Sequence, residues 1–210
     1  MGKINKRDEL EPLCDLAVRA LDEIIDHQKY PIDAAEKSTK ARRSLGIGYI
    51  GLAHYLAKKG YKYDQKLAWR QVDKLTEAFQ FYLLSASNTL AKEKGPCSAF
   101  KSTKYSDGIL PIDTYKKDVD ELVNKRELTY DWEWLRKEIK EHGLRHSTLS
   151  AQMPSESSSV VSNATNGIEP PRDYLSVKKS KKGPLKQIVP EYNKLKNFYT
   201  LLWDMKGNEG

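Results

Sequence analysis

The chain has 210 residues, of which 39% are hydrophobic and 31% charged, with a formal net charge of +7. This length suits one domain, or one and a half, and is sufficient to bury a core. The absence of a long apolar run excludes a membrane-spanning protein, and two distant cysteines exclude a disulfide framework and favour a reducing, cytoplasmic location.

The first part of the chain, residues 1–95, is predicted to be mainly helical. Apolar residues at helical spacing, including Leu10, Leu13 and Ile24, predict a core-facing stripe on the first helix. A long aromatic stripe predicts that the last of these helices is also packed in the core. The predicted helices are Arg7 to His27, a shorter one from Asp33, Tyr49 to Lys58, and Asp64 to Lys94.

Several residues in this part have types that occur in functional sites, but their context favours structural roles. Gly46 and Gly48 lack a third glycine and a preceding strand, so we expect close helix packing rather than dinucleotide binding. Cys14 and Cys97 are interpreted as structural. The four histidines show neither metal-ligand spacing nor a carboxylate partner and are also interpreted as structural, so the sequence predicts no metal site. They are His27, His54, His142 and His146.

Residues 96–130 are predicted to be rich in loops and carry no assigned chemistry. Asp131 then caps a helix whose apolar face includes Trp134, Leu135 and Ile139, and Gly143 ends that helix. A strand is expected from Leu144 to Ala151, with small or apolar residues on its core-facing side, before Pro154 ends it.

A serine-rich turn follows this predicted strand. Ser155 is placed as the N-cap of a short helix, with Ser158 and Ser159 in its first turn. Unpaired N–H groups, the positive end of the helix dipole and several hydroxyls favour binding of a phosphate or diphosphate there. An ordinary capped helix start is the alternative interpretation of this pattern, and the residues alone favour it.

The remaining segments follow this turn in the sequence. Residues 163–171 are polar, contain glycine and end in two prolines, a composition typical of a segment that lines a site. Two short β-like runs, residues 173–177 and 185–189, predict a hairpin, and a final helix is expected over residues 192–203. The lysines between the two runs fit a soluble hairpin tip better than a nucleic-acid patch; they are Lys178, Lys179, Lys181 and Lys182.

The sequence from Trp132 to Pro171 resembles that of the large, substrate-binding subunit of class I ribonucleotide reductase. The family signature is matched by Trp132, Leu135, Gly143, Leu144, Arg145, His146, Leu149, Ser150 and Pro154. Further collinear matches begin at Leu16, Arg42, Tyr82, Gly108 and Asn163, so the resemblance covers nearly the whole chain. It implies an α/β fold that forms part of a ten-stranded barrel, helix-rich in its first half.

The resemblance also implies a site and its chemistry. Ser155, Glu156, Ser157 and Ser158 correspond to the loop that binds the substrate diphosphate, with Ser157 where the family often has threonine. The radical-forming cysteine and the redox cysteine pair of the family have no counterpart here, so no catalytic residue is assigned. We therefore expect a fragment from the C-terminal half of the large subunit. It would be the product of a split gene and inactive alone.

The implied partners are an upstream chain that carries the radical cysteine, a di-iron tyrosyl-radical subunit, a thioredoxin- or glutaredoxin-type reductant and a ribonucleoside diphosphate. No cofactor is expected on this chain itself. Two alternatives remain open. One is a non-catalytic interaction or regulatory protein derived from a reductase fragment, and the other is a basic nucleic-acid-binding protein, for which no reader helix or base-stacking motif is present.

Overall fold

The computed structural model describes residues 1–2, 9–123, 127–180 and 183–199. The chain divides into two compact units. The first, termed the helical unit, comprises residues 6–47 and 71–151. The second, termed the hairpin unit, comprises residues 1–5, 48–70 and 152–210.

Apart from one isolated bridge, the regular secondary structure in the described part of the helical unit is helical. The long helix α4, Lys66–Lys94, begins in residues assigned to the hairpin unit, and its residues 71–94 belong to the helical unit. In the described residues 96–123 and 127–130, the helical elements are short turns. The elements are α1 (Leu10–His27), α2 (Asp33–Arg42), α4 (Lys66–Lys94), a 3₁₀ turn (Phe100–Ser102), α5 (Pro111–Thr114), α6 (Val119–Val123) and α7 (Trp132–His142).

Helix α1 buries a different face from the one predicted. Cys14, Val18 and Ile25 are buried, whereas Leu13 and Ile24 are 46% and 54% exposed, so the predicted stripe was partly wrong. The reason is that Asp22 is fully buried on the core face, where Arg43 donates a hydrogen bond to its carboxylate. The predicted start of this helix at Arg7 lies outside the described residues.

Helix α7 begins and ends as the sequence predicts. The Asp131 carboxylate accepts a hydrogen bond from the Trp134 N–H at 2.8 Å, and Gly143 ends the helix with a φ of +78°. A Cβ atom at Gly143 would lie 2.7 Å from Cβ of Pro96, so both space and backbone conformation require glycine. Trp134 was wrongly placed on the core face, since it is 47% exposed and Trp132 is buried instead.

The predicted strand from Leu144 to Ala151 is not formed. The segment pairs with residues 45–47 through three hydrogen bonds, one of which runs from the Ile47 N–H to the Leu149 carbonyl at 2.8 Å, and forms a single parallel bridge. Gly46 therefore lies in an extended segment, which corrects the expected close helix packing. Leu149 is buried and Ala151 is exposed, so the predicted core-facing alternation is also absent.

The hairpin unit combines short helices with one antiparallel pair of strands. The hairpin prediction is confirmed, with Val177 opposite Lys186 and Leu175 opposite Ile188. Of the lysines at the predicted tip, Lys178 and Lys179 lie in β1, and the other two lie outside the described residues. The elements are α3 (Leu52–Lys58), α8 (Glu156–Val161), β1 (Leu175–Ser180), β2 (Gly183–Ile188), α9 (Tyr192–Leu195) and a 3₁₀ turn (Lys196–Phe198).

A small core of Ala57, Val189 and Tyr199 holds the hairpin unit together. Helix α3 starts after Gly51, which has a φ of +76°, rather than at Tyr49 as predicted. The predicted final helix starts at the expected place and continues as a 3₁₀ turn to Phe198, and the rest of it lies outside the described residues.

Within the described ranges, β1 and β2 form a two-stranded sheet, and no larger sheet is present. The described part of the chain thus shows the helix-rich character that was predicted and not the ten strands of a barrel. No helix in these ranges is both long and apolar enough to cross a membrane.

Candidate functional site

The serine-rich turn lies in the hairpin unit, where Ser155 occupies the N-cap position of α8, as predicted. Its hydroxyl does not cap the helix, which corrects the expected hydrogen bond. Instead, it donates to Oδ1 of Asn166 at 2.8 Å and accepts from the Gly167 N–H at 2.9 Å. The Ser155 N–H also donates to Asn166 Oδ1 at 2.8 Å. Ser155 therefore fastens the start of α8 to the segment that follows the helix.

The next three residues, Glu156, Ser157 and Ser158, are exposed in the first turn of α8. N–H groups in the first turn of a helix have no acceptor inside the helix. Ser157 and Ser158 carry exposed hydroxyls in the same turn as these N–H groups. Because α8 has only six residues, its dipole is small, and the hydrogen-bond donors rather than the dipole would carry any anion binding.

A cavity of about 550 Å³ lies in the same unit. Residues 164–166 and 169–171 of the polar segment line it, together with Glu156, Ser159 and hairpin residues that include Gln187. The Gln187 amide donates to the carbonyl of Ala164 at 3.2 Å, which ties β2 to this segment. The residues predicted to line a site thus do line a cavity.

The charges of this cavity are mostly negative. Glu156, Glu169 and Asp173 line it with one cation, Arg172. An anion is therefore disfavoured among these carboxylates, whereas the first turn of α8 offers hydroxyl and N–H donors.

Thr165 has an unusual environment in this cavity lining. Its side chain is 6% exposed, and its hydroxyl oxygen has no hydrogen-bond partner among the described residues. A buried hydroxyl without a partner costs about 1–3 kcal/mol. Thr165, Asn166 and Gly167 were not singled out one by one from the sequence, although the segment that contains them was.

Both cysteines are buried and unpaired. Burial raises the pKa of the Cys14 thiol to about 12, and burial also raises the pKa of Cys97. Because the thiolate is the reactive form of cysteine, neither side chain is prepared for nucleophilic or redox chemistry at neutral pH. Their geometry agrees with the structural roles expected for them.

The expectation that the histidines lack carboxylate partners was wrong. His146 is completely buried in the helical unit, where its Nε2 lies 3.1 Å from Oδ1 of Asp22 and its Nδ1 lies 2.9 Å from the Ser87 hydroxyl. Burial lowers the His146 pKa to about 4, against the opposing effect of Asp22. Asp22 and His146 are 124 residues apart in sequence, so spacing could not show their contact.

The Asp22 carboxylate is shared with two arginines. Arg43 Nε donates to its Oδ1 at 2.7 Å, and Arg145 Nε lies 3.3 Å from the same atom. These hydrogen bonds and charges outweigh the effect of burial and lower the Asp22 pKa. Signature positions 145 and 146 therefore belong to a buried ionic network that supports the fold.

The other three histidines also lie near carboxylate groups. His54 Nε2 lies 2.8 Å from Glu191 Oε2 in the hairpin unit, and His27 lies 3.7 Å from a Glu23 oxygen. His142 lies with Glu138 and Glu141 in a group whose potential ligand atoms are within 4.8 Å of one another. Lys92 forms an ion pair with Glu138, so a metal cation would compete with an existing charge partner.

Comparison with known proteins gives a match over almost the whole chain. The family model for the ribonucleotide reductase barrel domain matches residues 3–207. The ribonucleoside-diphosphate reductase subunit alpha of Haemophilus influenzae is 59% identical over all 210 residues, and this chain spans 28% of that relative. The ribonucleoside-diphosphate reductase 1 subunit alpha of Escherichia coli is 59% identical over 186 residues, which is 89% of this chain and 24% of the relative.

A more distant relative extends the same pattern. The ribonucleoside-diphosphate reductase subunit alpha of Enterobacteria phage T4 is 44% identical over 205 residues, which is 97% of this chain and 27% of the relative. The chain thus spans about 28% or less of the length of these curated relatives.

Proposed function

Because the chain belongs to the ribonucleotide reductase barrel-domain family, we propose that it forms part of a ribonucleoside-diphosphate reductase and holds the substrate diphosphate. The reaction would convert ribonucleoside diphosphates to deoxyribonucleoside diphosphates. The observation that carries the proposal is the match of all 210 residues of this chain to an alpha subunit of this name, combined with the exposed residues 156–158 at the start of α8, two of which carry hydroxyls.

Ser157 and Ser158 would contact the phosphate oxygens directly. Both are exposed, and phosphate oxygens accept charge-assisted hydrogen bonds from hydroxyl and first-turn N–H groups. No lysine is needed in such a loop, because several neutral donors together can replace the hydration of the diphosphate.

Ser155 and Glu156 would act by positioning this loop. The Ser155 hydroxyl already uses its hydrogen on Asn166 and accepts the Gly167 N–H, so it fixes the first turn of α8 instead of contacting phosphate. The Glu156 side chain lines the adjacent cavity, where its negative charge disfavours a phosphate and so keeps the anion on the serines. Holding the substrate in one orientation supplies a large share of the rate acceleration in such reactions.

The remaining chemistry would come from outside these 210 residues. A di-iron tyrosyl-radical subunit would generate the radical that passes to a cysteine on another segment of the reductase. A separate cysteine pair would supply two electrons to the ribose and become a disulfide, which a thioredoxin- or glutaredoxin-type protein would reduce again. The buried, protonated Cys14 and Cys97 support this assignment, because neither is available for those steps. Unpaired thiols also fit a protein that acts in the reducing cytoplasm.

The proposal is tested by steady-state kinetics of the assembled reductase that contains this chain. Ser157→Ala/Ser158→Ala should lower kcat/KM for a ribonucleoside diphosphate roughly 100-fold or more, because it removes two hydrogen bonds to charged groups at about 1.5–3 kcal/mol each, or about 3–6 kcal/mol together. Ser38→Ala, an exposed serine on α2, is the matched control and should leave kcat/KM unchanged. Equal kcat/KM for the double variant and the control would refute the assignment of the loop.

A further inference from the structure

A second cavity, within the helical unit, differs in chemistry from the cavity beside α8. Its volume is about 390 Å³, which lies in the range of small-molecule pockets. The charged side chains in its lining are both cations, Arg42 and Lys104. The lining contains neither aspartate nor glutamate. The lining also includes six serine or threonine side chains: Ser44, Ser102, Thr103, Thr114, Ser147 and Thr148.

Arg42 lacks the counter-charge that other arginines of this unit have. Carboxylates pair with each of the following four: Arg19, Arg43, Arg136 and Arg145. Neither Arg42 nor Lys104 makes an ion pair or side-chain hydrogen bond with any residue that the structure describes. Two exposed cations thus border one cavity, and no carboxylate among the described residues forms an ion pair with either of them.

Some of the hydroxyl groups in the lining can donate a hydrogen bond to a ligand. Oγ of Ser44 and Oγ of Ser147 lie 3.0 Å apart, so one hydroxyl hydrogen joins them and the other can donate elsewhere. Thr148 is exposed and its hydroxyl has no partner in the described part of the chain. Ser102 and Thr103 donate to backbone carbonyls and so retain only acceptor capacity.

One side of the cavity is apolar. Ile109, Leu110 and Pro111 line it, and Leu110 is almost completely buried. The ring of Tyr105 is half-buried in the same lining. This wall can contact the organic part of a ligand whose charged group lies near the cations and hydroxyls.

We propose that this cavity binds a small organic phosphate, such as a nucleotide, through Arg42 and Lys104. Arg42 can donate two parallel hydrogen bonds to phosphate oxygens, and Lys104 supplies a second positive charge. Thr148 and the Ser44–Ser147 pair donate to the remaining oxygens. The site shares no residue with the serine loop at residues 155–158 and is independent of the function proposed for that loop.

The test is calorimetric titration of the 210-residue chain with ADP, pyrophosphate and adenosine at constant ionic strength. All variants are made in a Ser157→Ala/Ser158→Ala background, so that binding to the serine loop is weakened and contributes equally to every variant compared. The matched control for charge is Lys37→Gln/Lys137→Gln, since both lysines are exposed in the same unit and lie outside the cavity lining. Circular dichroism establishes that each variant is folded.

Binding of ADP and pyrophosphate that weakens at least about tenfold in Arg42→Gln/Lys104→Gln, but not in the control, supports the proposal. Thr148→Val changes no charge and should also weaken ADP binding, which keeps the test decisive if the double variant unfolds. Absence of ADP binding in the parent background, or equal weakening by the control pair, overturns it. Adenosine binding as tight as ADP binding also overturns it, because the cations would then contribute nothing.

Discussion

Replacing Ser155 by alanine should loosen the serine loop, and its effect can be estimated from the contacts of one hydroxyl. Ser155→Ala removes the 2.8 Å hydrogen bond to Asn166 and the 2.9 Å hydrogen bond from the Gly167 N–H. The Gly167 N–H is left buried without that acceptor, and such a loss costs about 1–3 kcal/mol. With a further contribution of about 1 kcal/mol for the second bond, we expect a total loss of about 2–4 kcal/mol.

Two assays separate this effect from a loss of substrate contacts. Chemical denaturation measures the loss of unfolding free energy, and hydrogen exchange of the Gly167 amide measures local opening. Ser158→Ala is the matched control, since its exposed hydroxyl should change stability by less than about 0.5 kcal/mol. Unchanged stability together with unchanged Gly167 exchange in Ser155→Ala would refute the fastening role of this hydroxyl.

Three further predictions concern the fold. The pKa of His146 is about 4 in the folded chain and about 6.5 in the unfolded chain, so the unfolded chain binds more protons between these pH values. The free energy of unfolding should therefore fall by about 3 kcal/mol from about pH 6.5 to about pH 4. Urea unfolding of His146→Asn should lack this pH-dependent loss of stability. Gly143→Ala should cost more than Gly95→Ala in thermal unfolding, because both have positive φ but only Gly143 would place its Cβ against Pro96; equal losses would contradict this. Thr165→Val should raise the unfolding free energy by about 1 kcal/mol, since it removes a buried hydroxyl without a partner, and a measured loss would show that the hydroxyl is satisfied.

Local signals allowed accurate prediction wherever a few neighbouring residues decide the structure. Asp131 and Gly143 bound α7 because a cap and a positive-φ residue act within one turn. The hairpin followed from two short β-like runs with lysine and glycine between them. The serine turn was placed correctly for the same reason.

Predictions failed where distant residues decide the structure. Asp22 is buried in α1 because Arg43, Arg145 and His146 converge on it, so the buried face could not be identified from apolar spacing alone. The segment after Gly143 depends on pairing with residues 45–47, about a hundred residues earlier in the chain. Ser155 uses its hydroxyl on Asn166, a tertiary contact that competes with the local cap.

The most direct test of the proposed role is a structure of the assembled reductase with a bound ribonucleoside diphosphate. We expect diphosphate oxygens within about 2.7–3.2 Å of the N–H or hydroxyl groups of Ser157 and Ser158, with Ser155 still bonded to Asn166. A diphosphate bound elsewhere, with these serines in contact only with water, would contradict it.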